Sequence, residues 1–307
     1  MEQDVERIQQ VVDYIEQHLA LDQADQLSVA RLAHELALSP WHFQRLLKSR
    51  VGDTLGNYIR GRRLTEAARL LRDTHYSIID IAFQVGFNSH EAFSRSFKTT
   101  FALSPLQYRR QQPLLALKQK PRLSADLFRH LRQDMQRAPE IIQRPAQTLV
   151  GYTTRIPSPF LSEGSYCHLL EHSWMQLFNA LNSLPHRLPG VMVGITISAS
   201  GHFDERELDY MAAVVYPQPA KLPRLLPGMV SYELAPQTMA HFPVASIDTD
   251  TVGKTMDYIY GYWLPNSGYQ RGSGDDYEWF ADVRDMDFSR VSSAYAMPLA
   301  DIAPGSG

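Results

Sequence analysis

Cysteine is almost missing from this sequence: Cys167 stands alone among 307 residues. An intrachain disulfide is therefore impossible, as is a thiolate cluster for zinc or iron–sulfur, and a reducing cytoplasm is the expected location. Long apolar runs are lacking too. Although 44% of the residues are hydrophobic, no stretch approaches the roughly 20 consecutive apolar residues of a bilayer crossing, so no membrane association is expected. The N-terminus lacks the basic start and apolar run of an export signal. Instead Val5, Ile8, Val11, Val12, Ile15 and Leu19 recur at helical spacing among acids and glutamines, as on a helix laid against a core. No Gly-rich phosphate loop or Ser/His/Asp arrangement is visible, so neither a cofactor nor catalysis is expected. Overall positive charge is also absent, the formal net charge being −3. A polyanionic partner is not thereby excluded, because phosphate contact depends on where charge lies. Residues 31–110 carry 13 Lys/Arg against 6 Asp/Glu, whereas 113–307 carry 16 against 20. The basic excess is local.

A chain of 307 residues exceeds what one hydrophobic core usually supports, so two domains are expected. The first contains an internal repeat. At an offset of 50, Ser39 aligns with Ser89, Phe43 with Phe93, Arg45 with Arg95, Leu47 with Phe97, Lys48 with Lys98, Thr54 with Ser104 and Tyr58 with Tyr108. Upstream the offset becomes 49, pairing Ser28 with Ser77, Leu32 with Ile81 and Ala33 with Ala82. The second copy thus has one extra residue near its turn, at Gly86-Phe87-Asn88.

Each copy reads as two short helices around a tight turn, a helix-turn-helix. Ser28 caps a helix bearing Val29, Leu32, Ala33 and Leu36; Ser39 caps the next, with Pro40 at its first position and Leu38, Phe43, Leu46 and Leu47 on its apolar face. In the second copy Ser77 and Asp80 form a capping box ahead of Ile78, Ile81, Ala82 and Val85. The following helix starts near Ser89 with Ala92, Phe93, Ser96 and Phe97 inward. Between the copies a helix begins at Asp53 or Thr54 and runs to about Thr74, a strut of roughly 30 Å. Two reading helices so separated can enter successive major grooves, one DNA turn being about 34 Å. Because the copies differ, the expected site is asymmetric.

Over residues 5–112 the sequence resembles the AraC/XylS family of transcription activators. The resemblance rests on Leu32-Ala33, Leu38-Ser39, Trp41-His42-Phe43-Gln44-Arg45, Tyr58-Ile59, Arg63-Leu64, Ile81-Ala82, Gly86-Phe87, Phe93-Ser94-Arg95, Phe97-Lys98, Ser104-Pro105 and Tyr108-Arg109. It implies base contacts from Trp41, Gln44 and Arg45 in the first reading helix and from His90, Glu91, Ser94 and Arg95 in the second, with RNA polymerase as a protein partner. The chemistry agrees: Arg pairs bidentately with guanine, Gln with adenine, and Trp packs on a thymine methyl or a sugar. The alternative for Trp41 is core packing. Arg60, Arg62, Arg63, Arg69 and Arg72 on the strut suit phosphate contact or simple solvation. Ala102 departs from the family pattern, which has Gly there, so the helix before it is expected to close differently.

After Tyr108 the pattern breaks at Gln111-Gln112-Pro113. The expected division is a DNA-binding domain at 1–112, a linker at 113–138 and a ligand-binding domain at 139–307. From Glu140 short alternating runs mark half-buried strands: Ile141–Ile156, Val191–Ile197, Tyr210–Tyr216, Met229–Ser246 and Val291–Leu299. Two amphipathic helices interrupt them, one through Leu169, Leu170, Trp174, Leu177, Phe178 and Leu181, the other through Val252, Met256, Ile259, Tyr260 and Trp263. The order strand-helix-strand-strand appears twice, as two related halves around a groove. The expected fold class is multidomain: an all-α double helix-turn-helix followed by an α+β domain.

That order resembles the GyrI-like effector-binding domains over 140–303, and Tyr277-Glu278-Trp279-Phe280 partly fits the family's aromatic-Glu-x-aromatic element. The usual preceding Pro is replaced by Gly274-Asp275-Asp276. The resemblance implies a small-molecule effector, with Glu278 in a pocket among aromatic walls. A carboxylate beside Tyr and Trp suits a delocalised cation; the alternative is a strand-end Glu bonded to backbone or solvent. Trp279, Tyr152, Trp174, Tyr216 and Tyr295 are further candidate ligand contacts, against core packing. Other readings of this domain are a protein-interaction module and a small GyrI-like hydrolase. His168-Leu169-Leu170-Glu171-His172 holds a His-x-x-Glu-His spacing used by some zinc peptidases. No third ligand is evident and the leucines fit a core helix, so no metal is expected.

Overall fold

The computed structural model describes residues 2–19, 27–51, 53–111, 119–133, 138–158, 167–183, 190–201, 203, 205–217, 225–244, 249–281 and 292–300. Residues 113–118 and 134–137 of the expected linker, the expected strand ends at Ser246 and Val291, and the side chains of Val5, Ile8 and Leu46 lie outside them. The chain divides into two compact units, Met1–Arg129 with Met256–Gly268, and His130–Thr255 with Tyr269–Gly307.

In the first unit, α1 (Glu2–Gln17) precedes one helix-turn-helix, α2 (Val29–Glu35) and α3 (Pro40–Val51). Then come the strut α4 (Leu55–Asp73), the second helix-turn-helix α5 (Ile78–Gln84) and α6 (His90–Phe101), and α7 (Pro105–Gln111); of α8 (Ala125–Gln133) this unit holds the part up to Arg129. The starts follow local chemistry. Ser28, Thr54, Ser77 and Ser89 each accept a backbone N–H of the first turn, and Ser39 Oγ accepts from His42 N at 3.2 Å. Such a cap is worth about 1 kcal/mol. Phe43 and Leu47 of α3 are buried, as are Leu32, Ala33 and Leu36. In the second copy Ile81, Ala82, Val85, Phe93 and Phe97 share one cluster with Leu64, Ala67, Ala68 and Leu71 of α4. The two turns carry matched left-handed residues, Ala37 at φ 53 and Gly86 at φ 88.

The strut is fastened at both sides. Arg62 Nε donates to Glu16 at 2.9 Å and Tyr58 donates to the same carboxylate at 2.6 Å. Arg63 donates to Leu19 O at 2.9 Å and to Gly86 O at 2.8 Å, tying the end of α1 to the second turn. A Cβ at Gly86 would lie 2.6 Å from both the Arg63 guanidinium and Leu19 O. The expectation of phosphate contact or solvation for Arg62 and Arg63 is therefore corrected: both are internal fasteners. Arg69 and Arg72 are exposed and pair with Glu66 and Asp73.

Ala102 also departs from expectation. It closes α6 in the left-handed conformation, φ 62, with its N–H bonded to Lys98 O, the geometry a glycine would give. An L side chain there costs about 1–2 kcal/mol.

The second unit is a curled, wholly antiparallel sheet of eight strands in the order β1-β6-β8-β7-β3-β4-β2-β5. The strands are β1 (Glu140–Arg144), β2 (Gln147–Pro157), β3 (Val191–Ile197), β4 (Glu207–Pro217), β5 (Val230–Leu234), β6 (Gln237–Val244), β7 (Asp276–Ala281) and β8 (Ser292–Pro298). Helix α9 (Cys167–Asn182) separates β2 from β3 and packs on β2 and β4. Helix α10 (Thr249–Tyr258) separates β6 from β7. Each half holds one strand more than the sequence pattern resolves, because the runs through 141–156 and 229–246 are broken at Pro145-Ala146 and Ala235-Pro236. A proline cannot donate to the ladder. Across these two-residue breaks the halves exchange first strands: β1 pairs with β6 and β5 with β2. Arg144 Nη2 donates to Ala235 O at 2.6 Å, joining the end of β1 to the β5–β6 connection. One face of the sheet buries Leu149, Val193, Ile195, Met211, Ala213 and Tyr277 together.

Replacing Ala102 by Gly removes the side-chain penalty and adds the smaller entropic cost of glycine. Ala102→Gly is expected to raise stability by about 0.5–1 kcal/mol in urea unfolding.

Candidate nucleic-acid interface and ligand site

On α3 the buried residues Phe43 and Leu47 fix which side faces water. Trp41, Gln44, Arg45 and Lys48 fall on the other side and are exposed. Trp41 is 66% exposed, which excludes the core alternative. The Arg45 guanidinium lies 4.8 Å from its ring centroid, so the flat ring and the forked donor form one surface. On α6, Phe93, Phe97 and Phe101 are buried. Glu91, Arg95 and Lys98 are exposed, with His90 and Ser94 half-buried beside them. His90 Nε2 and Ser94 Oγ are 3.3 Å apart. Glu91 lies in the first turn of α6, and its carboxyl is held below the usual range by backbone hydrogen bonding and by Ser89. The structure thus brings Trp41, Gln44 and Arg45 onto one helix face, and His90, Glu91, Ser94 and Arg95 onto another. Lys48 and Lys98, prominent in the repeat but outside the expected reading set, extend these faces by one turn.

In the second unit, strand register sorts the candidate ligand residues. Tyr152, Ala212, Gly194, Glu278, Tyr295 and Phe242 form one row across six strands and share a face, directly opposed residues pointing the same way. Glu278 accepts from Tyr210 OH at 3.0 Å, and Trp174 Nε1 on α9 donates to that hydroxyl at 2.9 Å. Phe280 meets Trp174 edge-on, ring centroids 5.4 Å apart. Gly194 stands directly opposite Glu278, and a Cβ there would overlap both the carboxylate and the Tyr210 hydroxyl. Burial raises the Glu278 carboxyl to about 7, and the Tyr210 hydrogen bond only partly offsets this. The residue as a whole is half-buried and not sealed.

The remaining candidates separate. Tyr295, adjacent to Glu278 in the ladder, donates to Asp276 at 2.8 Å and is buried. Trp279 points to the opposite face, against His241 and Tyr277. Tyr216 shares the Glu278 face but lies four residues beyond Ala212 along β4, about 13 Å away. Tyr152 ends the row, its hydroxyl donating to Pro227 O at 3.3 Å. Sequence reasoning missed Tyr210, Phe280 and Gly194. Gly194 was the available signal, since a glycine interrupting the apolar run Val191–Ile197 marks a close approach. His168, Glu171 and His172 are exposed on α9, and among the described residues no group of three or more His, Cys, Asp or Glu side chains could hold a metal ion. No helix among them is long and apolar enough to cross a membrane.

The helical part and the sheet each match a known family. The Helix-turn-helix domain family matches residues 32–111, and the GyrI-like small molecule binding domain family matches residues 137–289. The Right origin-binding protein of Escherichia coli (strain K12) is 31% identical over 215 residues, which is 69% of this chain and 69% of that protein. The chain belongs to the AraC-type transcription regulators. Transcriptional regulator Rob of Salmonella typhimurium is 40% identical over 121 residues, covering 39% of this chain and 40% of that protein. Multiple antibiotic resistance protein MarA of the same organism is 35% identical over 102 residues, 33% of this chain and 77% of that protein. This AraC-type member is a DNA-binding transcription regulator with a GyrI-like small-molecule-binding domain.

Because the folded-state pKa of Glu278 lies above its unfolded value, its contribution to stability is fully present below about 4.5 and is lost as pH rises through about 7. Glu278→Gln abolishes that loss. Urea midpoints at pH 5 and pH 8 are expected to fall further apart for the wild type than for the variant.

Proposed function

We propose that this regulator reads an asymmetric duplex site through two non-identical helices and that its Glu278 site takes a small aromatic or lipophilic cation. For the DNA half, the supporting observation is the pair of exposed faces, Trp41-Gln44-Arg45 on α3 and Glu91-Ser94-Arg95 on α6, each opposite a buried aromatic side. Arg45 and Arg95 are assigned to guanine edges, Gln44 to adenine and Trp41 to a thymine methyl or sugar, with His90, Glu91 and Ser94 completing the second contact. Lys48 and Lys98 suit phosphate. Both helices belonging to one chain, one copy suffices for a site without a palindrome.

For the sensing half, the supporting observation is Glu278 held in an aromatic setting with Tyr210, Trp174 and Phe280. A ligand cation supplies the positive charge that the buried carboxylate lacks, and ring faces add cation–π attraction. The proton on Glu278 must leave as the cation enters, so binding strengthens as pH rises toward 7 and levels off above it. Of the sequence candidates, Trp174 and Tyr295 stay with Glu278 in this reading, Tyr152 lines the row's far end, Tyr216 shares the face but lies too far along β4 to take part, and Trp279 points to the opposite face. Contact with RNA polymerase and a cytoplasmic location accompany the role of a transcription regulator, and no catalytic step is assigned. The division into a DNA-binding part at 1–112, a connector at 113–138 and a sensing part at 139–307 follows the same reading.

Arg45→Ala is expected to cost about 1–3 kcal/mol and to relax preference at one base pair, measured on a panel of point-substituted duplexes. Equal weakening on every duplex makes Arg45 a phosphate contact instead. In calorimetry with tetraphenylphosphonium, Glu278→Gln is expected to weaken binding about tenfold or more and to remove its pH dependence. Equal affinity of variant and wild type contradicts the ligand reading.

A further inference from the structure

The region matched to the small-molecule-binding family does not lie wholly in the ligand-binding unit. Residues Met256–Gly268, inside that match, pack within the DNA-binding unit. Here α10 passes at Tyr258 into a π-helical turn, Ile259–Trp263, followed by α11, Leu264–Ser267. Within the DNA-binding unit this turn meets the stretch Lys120-Pro121. Tyr262 is 1% exposed, donates to Pro121 O at 2.5 Å, and carries the Lys120 ammonium 4.6 Å from its ring centroid. Gly261 lies against the Pro121 ring so closely that a Cβ would overlap Pro121 Cδ.

The same stretch is fixed on α4. Arg62 Nη1 donates to Lys120 O at 2.9 Å, and Lys120 N donates to Thr65 Oγ1 at 2.8 Å. A Cβ at Gly61 would lie 2.7 Å from the Lys120 side chain, and the Lys120 ammonium pairs with buried Asp53, just ahead of the α4 cap. Two glycines on opposite sides thus leave a slot that admits the stretch without slack. A π-turn adds one residue to a helical turn, is rare, and concentrates at functional positions. Here it shapes the helix end that touches the slot.

We propose that residues 256–268 are the coupling element of this regulator. Occupancy of the Glu278 site is transmitted to Tyr262, from there through Lys120-Pro121 to α4, and so to α6, which packs on it. The input end rests on the ligand reading above; the output end rests on DNA binding alone. Coupling is reciprocal, so duplex binding must register at 256–268 with no effector present.

Hydrogen exchange of the full chain, with and without a duplex selected by it from a random pool, tests this. In the wild type the duplex is expected to slow exchange at α3, at α6 and, by about fivefold or more, at 256–268. Gly261→Ala is expected to keep the effect at α3 and α6 and lose it at 256–268. Tyr262→Phe removes one hydrogen bond and keeps the ring, so it serves if the first variant does not fold, with partial loss expected. Slowing at α3 and α6 with no change at 256–268 in the wild type overturns the proposal. A second arm uses tetraphenylphosphonium: it is expected to shift duplex affinity about fivefold or more in the wild type and under about twofold in Gly261→Ala, while binding both equally. No binding to either protein sinks the ligand reading and leaves the coupling judged by the duplex arm. Equal shifts in both proteins overturn the coupling.

Discussion

Glu16 and Arg62 meet at 2.9 Å with most of both side chains withdrawn from water, and Tyr58 donates to the same carboxylate. Losing one member of such a pair strands the other and costs about 3–5 kcal/mol. The position is central because Arg62 sits on the helix from which both helix-turn-helix copies hang. Its neighbour Arg63 reaches the end of α1 and the turn of the second copy. Arg62 Nη1 donates to Lys120 O. A single helical turn of α4 therefore fixes α1, the second copy and the Lys120 stretch, and α6 packs on the same helix.

In the sheet, the comparable constraint is the pairing of Gly194 with Glu278. The glycine leaves the space in which the carboxylate and the Tyr210 hydroxyl meet, and Trp174 of α9 completes the chain of donors. A charge-bearing group is thereby kept in a place that favours its neutral form, at a stability cost that an unliganded protein carries permanently. Such a cost is understandable where a ligand's positive charge relieves it.

What the sequence reveals follows the range of the interactions. Ser28, Thr54, Ser77 and Ser89 act on residues three positions away, so the helix starts are readable from the chain alone, and the offset-50 repeat displays both exposed faces. Arg62 and Arg63 look like surface charges in the sequence because their partners lie 46, 44 and 23 residues away. Strand alternation assigns Glu278 and Trp279 to opposite faces once register is known, but composition cannot say which strands are neighbours. Tyr210 was invisible for that reason. The exchange of β1 and β5 between halves, and the docking of 256–268 in the helical unit, are likewise long-range outcomes. Ala102 shows the reverse case: residue type argues against a left-handed turn, and the surrounding core imposes it.

The central claim is that one chain presents two unlike reading helices, held by α4, to one side of a duplex. Phosphate ethylation interference on a selected duplex bound by a single copy tests it most directly. Two unequal clusters of interfering phosphates, centred about 10 base pairs apart on one face of the helix, are the expected result. One continuous cluster, or two identical clusters that require a second copy, contradicts it.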